Sequence, residues 1–357
     1  MSLAPSRLES NEFNADYHRN QVRSIVFILA LLLVLIITIV LSLCAGSYDT
    51  PLTEIVRGIF GKAADDKINI IVRNNRLPRT LTAVIAGAGL GISGCIMQAI
   101  LRNPLASSST LGVSQGASFG AAFAIIVLNM GSHTGFGSIA VPILAFAGSM
   151  TVALIILGLS KISRISPEGI VLAGVAISSM FTGATTLIQY FANEIQLATL
   201  VFWTFGDLGT TSWMDISRMG LVVMVVSFYF FLHRWDYNAL LSGPETAISL
   251  GINVHRLTLA NMILCCFTAS TIVSYVGLIS FIGLVAPHIL RLVVGNNHVY
   301  LIPGTILAGA TLLLLGDLFS RIIISPVILP IGAITSFLGG PLFLYLLFKG
   351  GKKNAEG

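Results

Sequence analysis

Few ionisable side chains fall within the long apolar stretches of this chain, and those few are the first places to look for chemistry. Asp317 and Arg321 stand four residues apart, and His288 and Arg291 three apart. A carboxylate or histidine at mid-membrane depth is how a carrier links proton or sodium movement to its substrate. Both pairs lie instead near the ends of their apolar segments, which argues against a secondary carrier or channel. Other chemistry finds no better footing. The chain has no Gly-x-x-x-x-Gly-Lys-Ser/Thr loop to cradle nucleotide phosphates. It also lacks the paired acid and base, or the metal-ligand cluster, that a membrane-embedded enzyme needs. Cys44, Cys95, Cys265 and Cys266 sit in apolar segments without metal-ligand spacing and read as small packing residues. No catalytic group, metal or cofactor is expected.

Two stretches of uncharged polar residues are more promising. Ser178, Thr182, Thr185, Thr186 and Gln189 are offset by 4, 7, 8 and 11 residues, which keeps them on one helical face. Such a face would line a wet translocation path. It would equally suit hydroxyls that bond their own i−4 carbonyls or a neighbouring helix. The second stretch is Ser242-Gly243-Pro244-Glu245-Thr246-Ala247-Ile248-Ser249-Leu250-Gly251-Ile252-Asn253. Ser242 can cap a helix, Pro244 and Glu245 suit its first turn, and Gly251 can end it. The residues alone do not separate a partner-facing helix from an ordinary surface one.

The elements that must position these residues are membrane spans. The chain of 357 residues is 55% hydrophobic and 10% charged, where a soluble domain carries roughly 25% charged residues. Continuous apolar runs recur at the length needed to cross about 30 Å of hydrocarbon, and they lack the short alternation of a β-barrel. The predicted spans are 24–45, 79–100, 110–130, 139–159, 168–191, 214–233, 257–276, 279–295, 301–324 and 329–348. The run 257–295 is too long for one crossing and is divided near Gly277. The stretch Ser24 to Ala45 reads as a retained helix rather than a signal peptide, because its apolar part is long and a polar segment precedes it. Gly87, Gly91 and Gly94 on one helix, and Gly116 and Gly120 on the next, are spaced for close helix packing.

An all-α polytopic protein follows, with a single membrane domain (24–348) between cytoplasmic tails 1–23 and 349–357. With both tails inside, Lys and Arg divide twelve inside to eight outside, in the direction that membrane topology favours. Most of the outside cations lie in the segment 46–79, which invites a functional explanation. The net charge of +5 reflects topology and docking; no basic cluster is interleaved with stacking aromatics, so nucleic acid is not an expected partner.

Four motifs in order carry a resemblance: Arg76-Leu77-Pro78-Arg79, Arg102-Asn103-Pro104-Leu105-Ala106, Gly283-Leu284-Val285-Ala286-Pro287-His288-Ile289-Leu290-Arg291, and Leu329-Pro330-Ile331-Gly332. From roughly residue 24 to 348 the chain resembles the FecCD-type permeases of ATP-binding-cassette importers for ferric siderophores, haem and cobalamin. The resemblance implies a permease that pairs with a second permease copy, two cytoplasmic ATPase subunits and an external substrate-binding protein in the cell membrane. It implies a coupling helix bearing Glu245, Ala247, Leu250 and Gly251 against the ATPase. It also implies a cavity lined by the fifth helix, and arginines (Arg76, Arg79, Arg321) that meet carboxylates of the binding protein. Exposed guanidinium forks suit such pairing, although arginines at a membrane edge also snorkel. Among ligands a ferric siderophore is expected ahead of cobalamin, haem or an oxyanion. Ser107-Ser108 stand where the family usually has Asp-Pro, and Pro326-Val327-Ile328-Leu329-Pro330 lacks the family's charged Arg-Glu pair.

Overall fold

The computed structural model describes residues 7–46, 48, 50–131, 137–163 and 167–355; Arg164 of the inner cations and the tail residues 1–6 and 356–357 lie outside them. Among the described residues every regular element is a helix. In chain order these are α1 (Arg7–Cys44), α2 (Leu52–Ile59), α3 (Asp66–Ile71), α4 (Leu77–Ile100), α5 (Val113–Ala122) and α6 (Gly137–Ser163). Then follow α7 (Pro167–Tyr190), α8 (Glu194–Phe205), α9 (Trp213–Leu232), α10 (Arg234–Leu241) and α11 (Pro244–Ser249). The chain closes with α12 (Val254–Val276), α13 (Ile282–Val294), α14 (His298–Ile322) and α15 (Ile331–Ala355).

Among the described residues seven helices are long and apolar enough to cross a membrane, and they match the predicted spans 24–45, 79–100, 139–159, 168–191, 214–233, 257–276 and 301–324. The other three predictions meet shorter apolar helices, Val113–Val127, Ile282–Val294 and Ile331–Tyr345. The span predicted from residue 279 is therefore a half-helix of 13 residues, roughly 20 Å long at 1.5 Å per residue. The division near Gly277 holds: that glycine caps α12 at φ +75°. α8 is absent from the predicted spans, because a largely apolar stretch of 12 residues is too short to read as a crossing. Its start is nonetheless written locally, in the capping box between Asn193 and Gln196. Both presumed tails are partly helical, since α1 begins at Arg7 and α15 runs to Ala355.

α4 is the buried hub, packed against α14, α12, α13 and α9. Its glycines explain how. A Cβ on Gly94 would lie 1.8 Å from the carbonyl oxygen of Gly283 on α13, and one on Gly87 2.3 Å from that of Gly309 on α14. On α5, Gly116 and Gly120 meet the α6 backbone at Gly148 and Leu144 with the same closeness. Small residues let backbones touch where lipid removes the hydrophobic drive for association.

Candidate functional site

The hydroxyl face of α7 forms, and it divides by neighbour. Thr185 is buried, Ser178 and Gln189 are partly covered, and Thr182 and Thr186 are exposed. Each hydroxyl donates to the carbonyl four residues back: Ser178 to Gly174 (2.7 Å), Thr182 to Ser178 (2.8 Å), Thr185 to Phe181 (2.8 Å) and Thr186 to Thr182 (3.0 Å). Back-bonding satisfies the donors and leaves oxygen lone pairs free to accept. Both sequence readings of the stripe are thus compatible at once.

The first two stripe residues, Ser178 and Thr182, stand with Val175 and Ser179 in one wall of an open groove of about 500 Å³ that Ser109, Thr110 and Gln115 also line; Thr185, Thr186 and Gln189 lie outside it. The opposite wall comes from Ser109 and Thr110, leading into α5, and from Gln115 within it, none of which the sequence reading singled out. Here Thr110 Oγ1 donates to the Ser107 carbonyl (2.8 Å) and accepts from the Ser107 N–H (2.9 Å), while the Ser107 and Ser109 hydroxyls bond at 2.9 Å. Gly112 at φ +87° then starts α5, and Phe119 packs edge-on against Phe181 of α7 at 5.4 Å. The local signal was the run Ser107-Ser108-Ser109-Thr110 with Gln115 five residues on. No lining residue is charged.

On the inner side, α11 forms between two glycines of positive φ, Gly243 (+111°) and Gly251 (+85°). Gly243, not Ser242, occupies the cap position, and Ser242 closes α10 instead. Glu245, Leu250 and Gly251 are exposed, as is Ile248. Ala247 is fully buried, so it packs α11 onto its own chain. α10 is pinned to two longer helices. Burial raises the pKa of the Tyr237 hydroxyl, which stays protonated and donates to Asn261 Oδ1 at 2.6 Å. Asn238 donates to Asn297 Oδ1 (2.9 Å) and accepts from the His298 N–H (2.8 Å).

The outer arginines depart most from expectation. Arg76 and Arg79 are only 4% and 6% exposed, and the Arg321 side chain 9%. Arg76 donates to the carbonyls of Leu43 (3.0 Å) and Tyr48 (2.5 Å). Arg321 reaches those of Ser42 (3.2 Å) and Ala45 (3.1 Å). Together they satisfy the free carbonyls at the end of α1, where the helix dipole favours cations. Arg79 Nε donates to Asp317 Oδ1 at 2.8 Å, and Arg321 pairs with Asp317 Oδ2 at 3.0 Å. Arg79 also reaches half-exposed Asp207 at 3.3 Å. The premise of exposed forks does not hold for these three residues: burial at a helix junction left the cations to find partners inside the chain.

The chain matches the FecCD transport family over residues 33–349. A protein of Methanocaldococcus jannaschii named as an ABC transporter permease is 46% identical over 92% of this chain and 95% of its own length. The hemin transport system permease of Yersinia pestis is 34% identical over 88% and 94%. The Fe(3+)-citrate import permease of Bacillus subtilis is 33% identical over 92% and 96%. Vitamin B12 import permeases show similar identity. A solved structure described as an inward-facing metal-chelate type ABC transporter superposes with a TM-score of 0.79 at 31% identity, covering 90% of this chain and 99% of that one.

Proposed function

The chain belongs to the FecCD transport family and is a multi-pass membrane permease subunit of an ABC importer; from that premise we propose that its cargo is a ferric siderophore. The observation that carries the reading is the groove between α5 and α7. Its walls offer hydroxyls and an amide but no charged side chain, which suits the outer shell of a chelate whose metal is already coordinated. The same lining tolerates haem or cobalamin, and relatives are named for hemin, Fe(3+)-citrate and vitamin B12. The iron-bearing names and the metal-chelate neighbour weight the reading toward a ferric chelate.

In this reading two permease copies leave a path between them, with Ser178, Thr182, Thr185, Thr186 and Gln189 along it. An external binding protein delivers the chelate. Two cytoplasmic ATPase subunits engage α11 through Glu245, Leu250 and Gly251, and their nucleotide state shifts the population between outward- and inward-open forms. Docking of the binding protein on Arg76, Arg79 and Arg321 rests on family resemblance alone, given where those side chains lie. Uptake of labelled ferric siderophore, haem and cobalamin, compared in cells carrying and lacking the gene, tests the cargo. Loss of siderophore uptake alone is expected on deletion. Siderophore uptake indifferent to deletion, alongside lost haem or cobalamin uptake, would overturn the cargo and leave the family intact.

A further inference from the structure

The outer segment between α1 and α4 holds most of the outside cations, and its geometry points to a use for them. α2 has three faces. Ile55 and Gly58 are buried, Ile55 among Leu43, Ile68 and Val72. Leu52, Val56 and Phe60 follow at intervals of four residues, hence on one side of the helix, and all three are exposed, Phe60 by 72%. Thr53 and Arg57 occupy the remaining side, also exposed. A helix on the surface of a water-soluble body needs two faces, one against the protein and one polar. A third, apolar and open, fits a helix lying where protein, water and hydrocarbon meet.

Charge and continuity name the occupant. Glu54 binds Arg57 at 2.7 Å and accepts from the Ala64 N–H at 2.8 Å, and Asp65 caps α3. Glu54 and Asp65 are thereby used internally, while Asp66 stays exposed beside Lys67 and accepts only from the Asn69 amide at 3.4 Å. Lys62, Lys67 and Arg73 are exposed, and among the described residues none of them takes part in a salt bridge. α2 packs on α1, whose last turns expose Val40 and Leu41 as part of a span that is mostly unburied along its length. The apolar face of α2 therefore extends the lipid-facing surface of α1.

We propose that α2 and α3 form an interfacial anchor in the outer leaflet, with Leu52, Val56 and Phe60 at the acyl boundary and Lys62, Lys67 and Arg73 on anionic headgroup phosphates. This accounts for an outer loop that runs against the usual charge bias. It rests on the chain crossing a membrane, not on the cargo or the coupling element.

The test uses the full chain in nanodiscs of phosphatidylcholine, with and without phosphatidylglycerol. Nitroxides are placed through Val56→Cys, Phe60→Cys and Arg57→Cys, each in a Cys44→Ser background. At positions 56 and 60 the labels should be relaxed by oxygen and shielded from a water-soluble nickel chelate. Position 57 should show the reverse. Adding phosphatidylglycerol should deepen the shielding at 56 and 60, and Lys62→Gln with Lys67→Gln and Arg73→Gln should abolish that increment. Nickel access at 56 and 60 equal to that at 57 would overturn the anchor. So would shielding that arises only when an external binding protein is added, since the face would then be a protein seat. Indifference to phosphatidylglycerol would overturn the headgroup assignment.

Discussion

Asp317 is the residue on which the outer end of the molecule turns. Fully buried, it accepts from Arg79 on one oxygen and faces Arg321 on the other, while Arg321 also caps the end of α1. Removing one member of a buried ionic cluster leaves charge uncompensated, at a cost of about 3–5 kcal/mol. Asp317→Asn should therefore lower folded yield and thermal stability in detergent by that order, at any ionic strength. Arg79→Gln and Arg321→Gln should follow the same pattern. A docking role would read differently: normal yield and melting, with binding-protein association weakened most at low salt, where charge is least screened. Measuring yield, melting and association on the same three variants separates the two.

At the scale of elements, packing distance sets what each helix tolerates. Gly94→Ala places a methyl within 1.8 Å of a backbone oxygen that cannot swing aside, so α4 and α13 must part, at a cost of about 2 kcal/mol or more. Gly158 in α6 has open space around it. There Gly158→Ala should be neutral or add up to about 1 kcal/mol through helix propensity. Melting of the two variants side by side checks whether the glycine stripe is a contact or merely a composition. The proposed coupling role of α11 is tested at its end. Leu250 is 66% exposed while Ala247 is fully buried, so Leu250→Asp should reduce co-purification of the ATPase with the permease still folded. Gly251→Val forces a β-branched residue to φ +85°, and uptake should fall through the misplaced helix end. If the ATPase co-purifies normally with both variants and uptake is unchanged, α11 is not the coupling element.

For the molecule as a whole, the proposed pairing of two permeases can be tested at the exposed hydroxyls of α7. Thr182 and Thr186 are open on one side of α7, with exposed Met180 and Leu187 on another, and under the proposed reading the hydroxyl side faces a water-lined seam between two permeases. Closed two-fold symmetry brings a residue near the axis close to its own copy. Thr182→Cys, treated in membranes with a short thiol-reactive crosslinker, should give a species of twice the 37.9 kDa chain mass. A chain that stays monomeric under the same treatment would place this face toward lipid.

Much was legible in the residues because membrane helices announce themselves locally. Apolar length predicted ten crossings, seven of which meet helices of spanning length among the described residues, together with the break at Gly277 and the glycine faces of α4 and α5. Four motifs in order gave the family. The period of a helix also placed five polar residues of α7 on one side before any coordinates did. Local pattern cannot say what a face meets. Thr185 is buried and Thr182 open because of different neighbours, and Ala247 turns inward where Leu250 turns out. Arg79 finds its carboxylate 238 residues away in the sequence, and Arg76 and Arg321 settle on carbonyls at the end of α1. A cation at a membrane edge reads the same in sequence whether it waits for a partner protein or closes a helix end. Only the packing of distant helices decides, because burial makes an unpaired charge too costly to leave unmet.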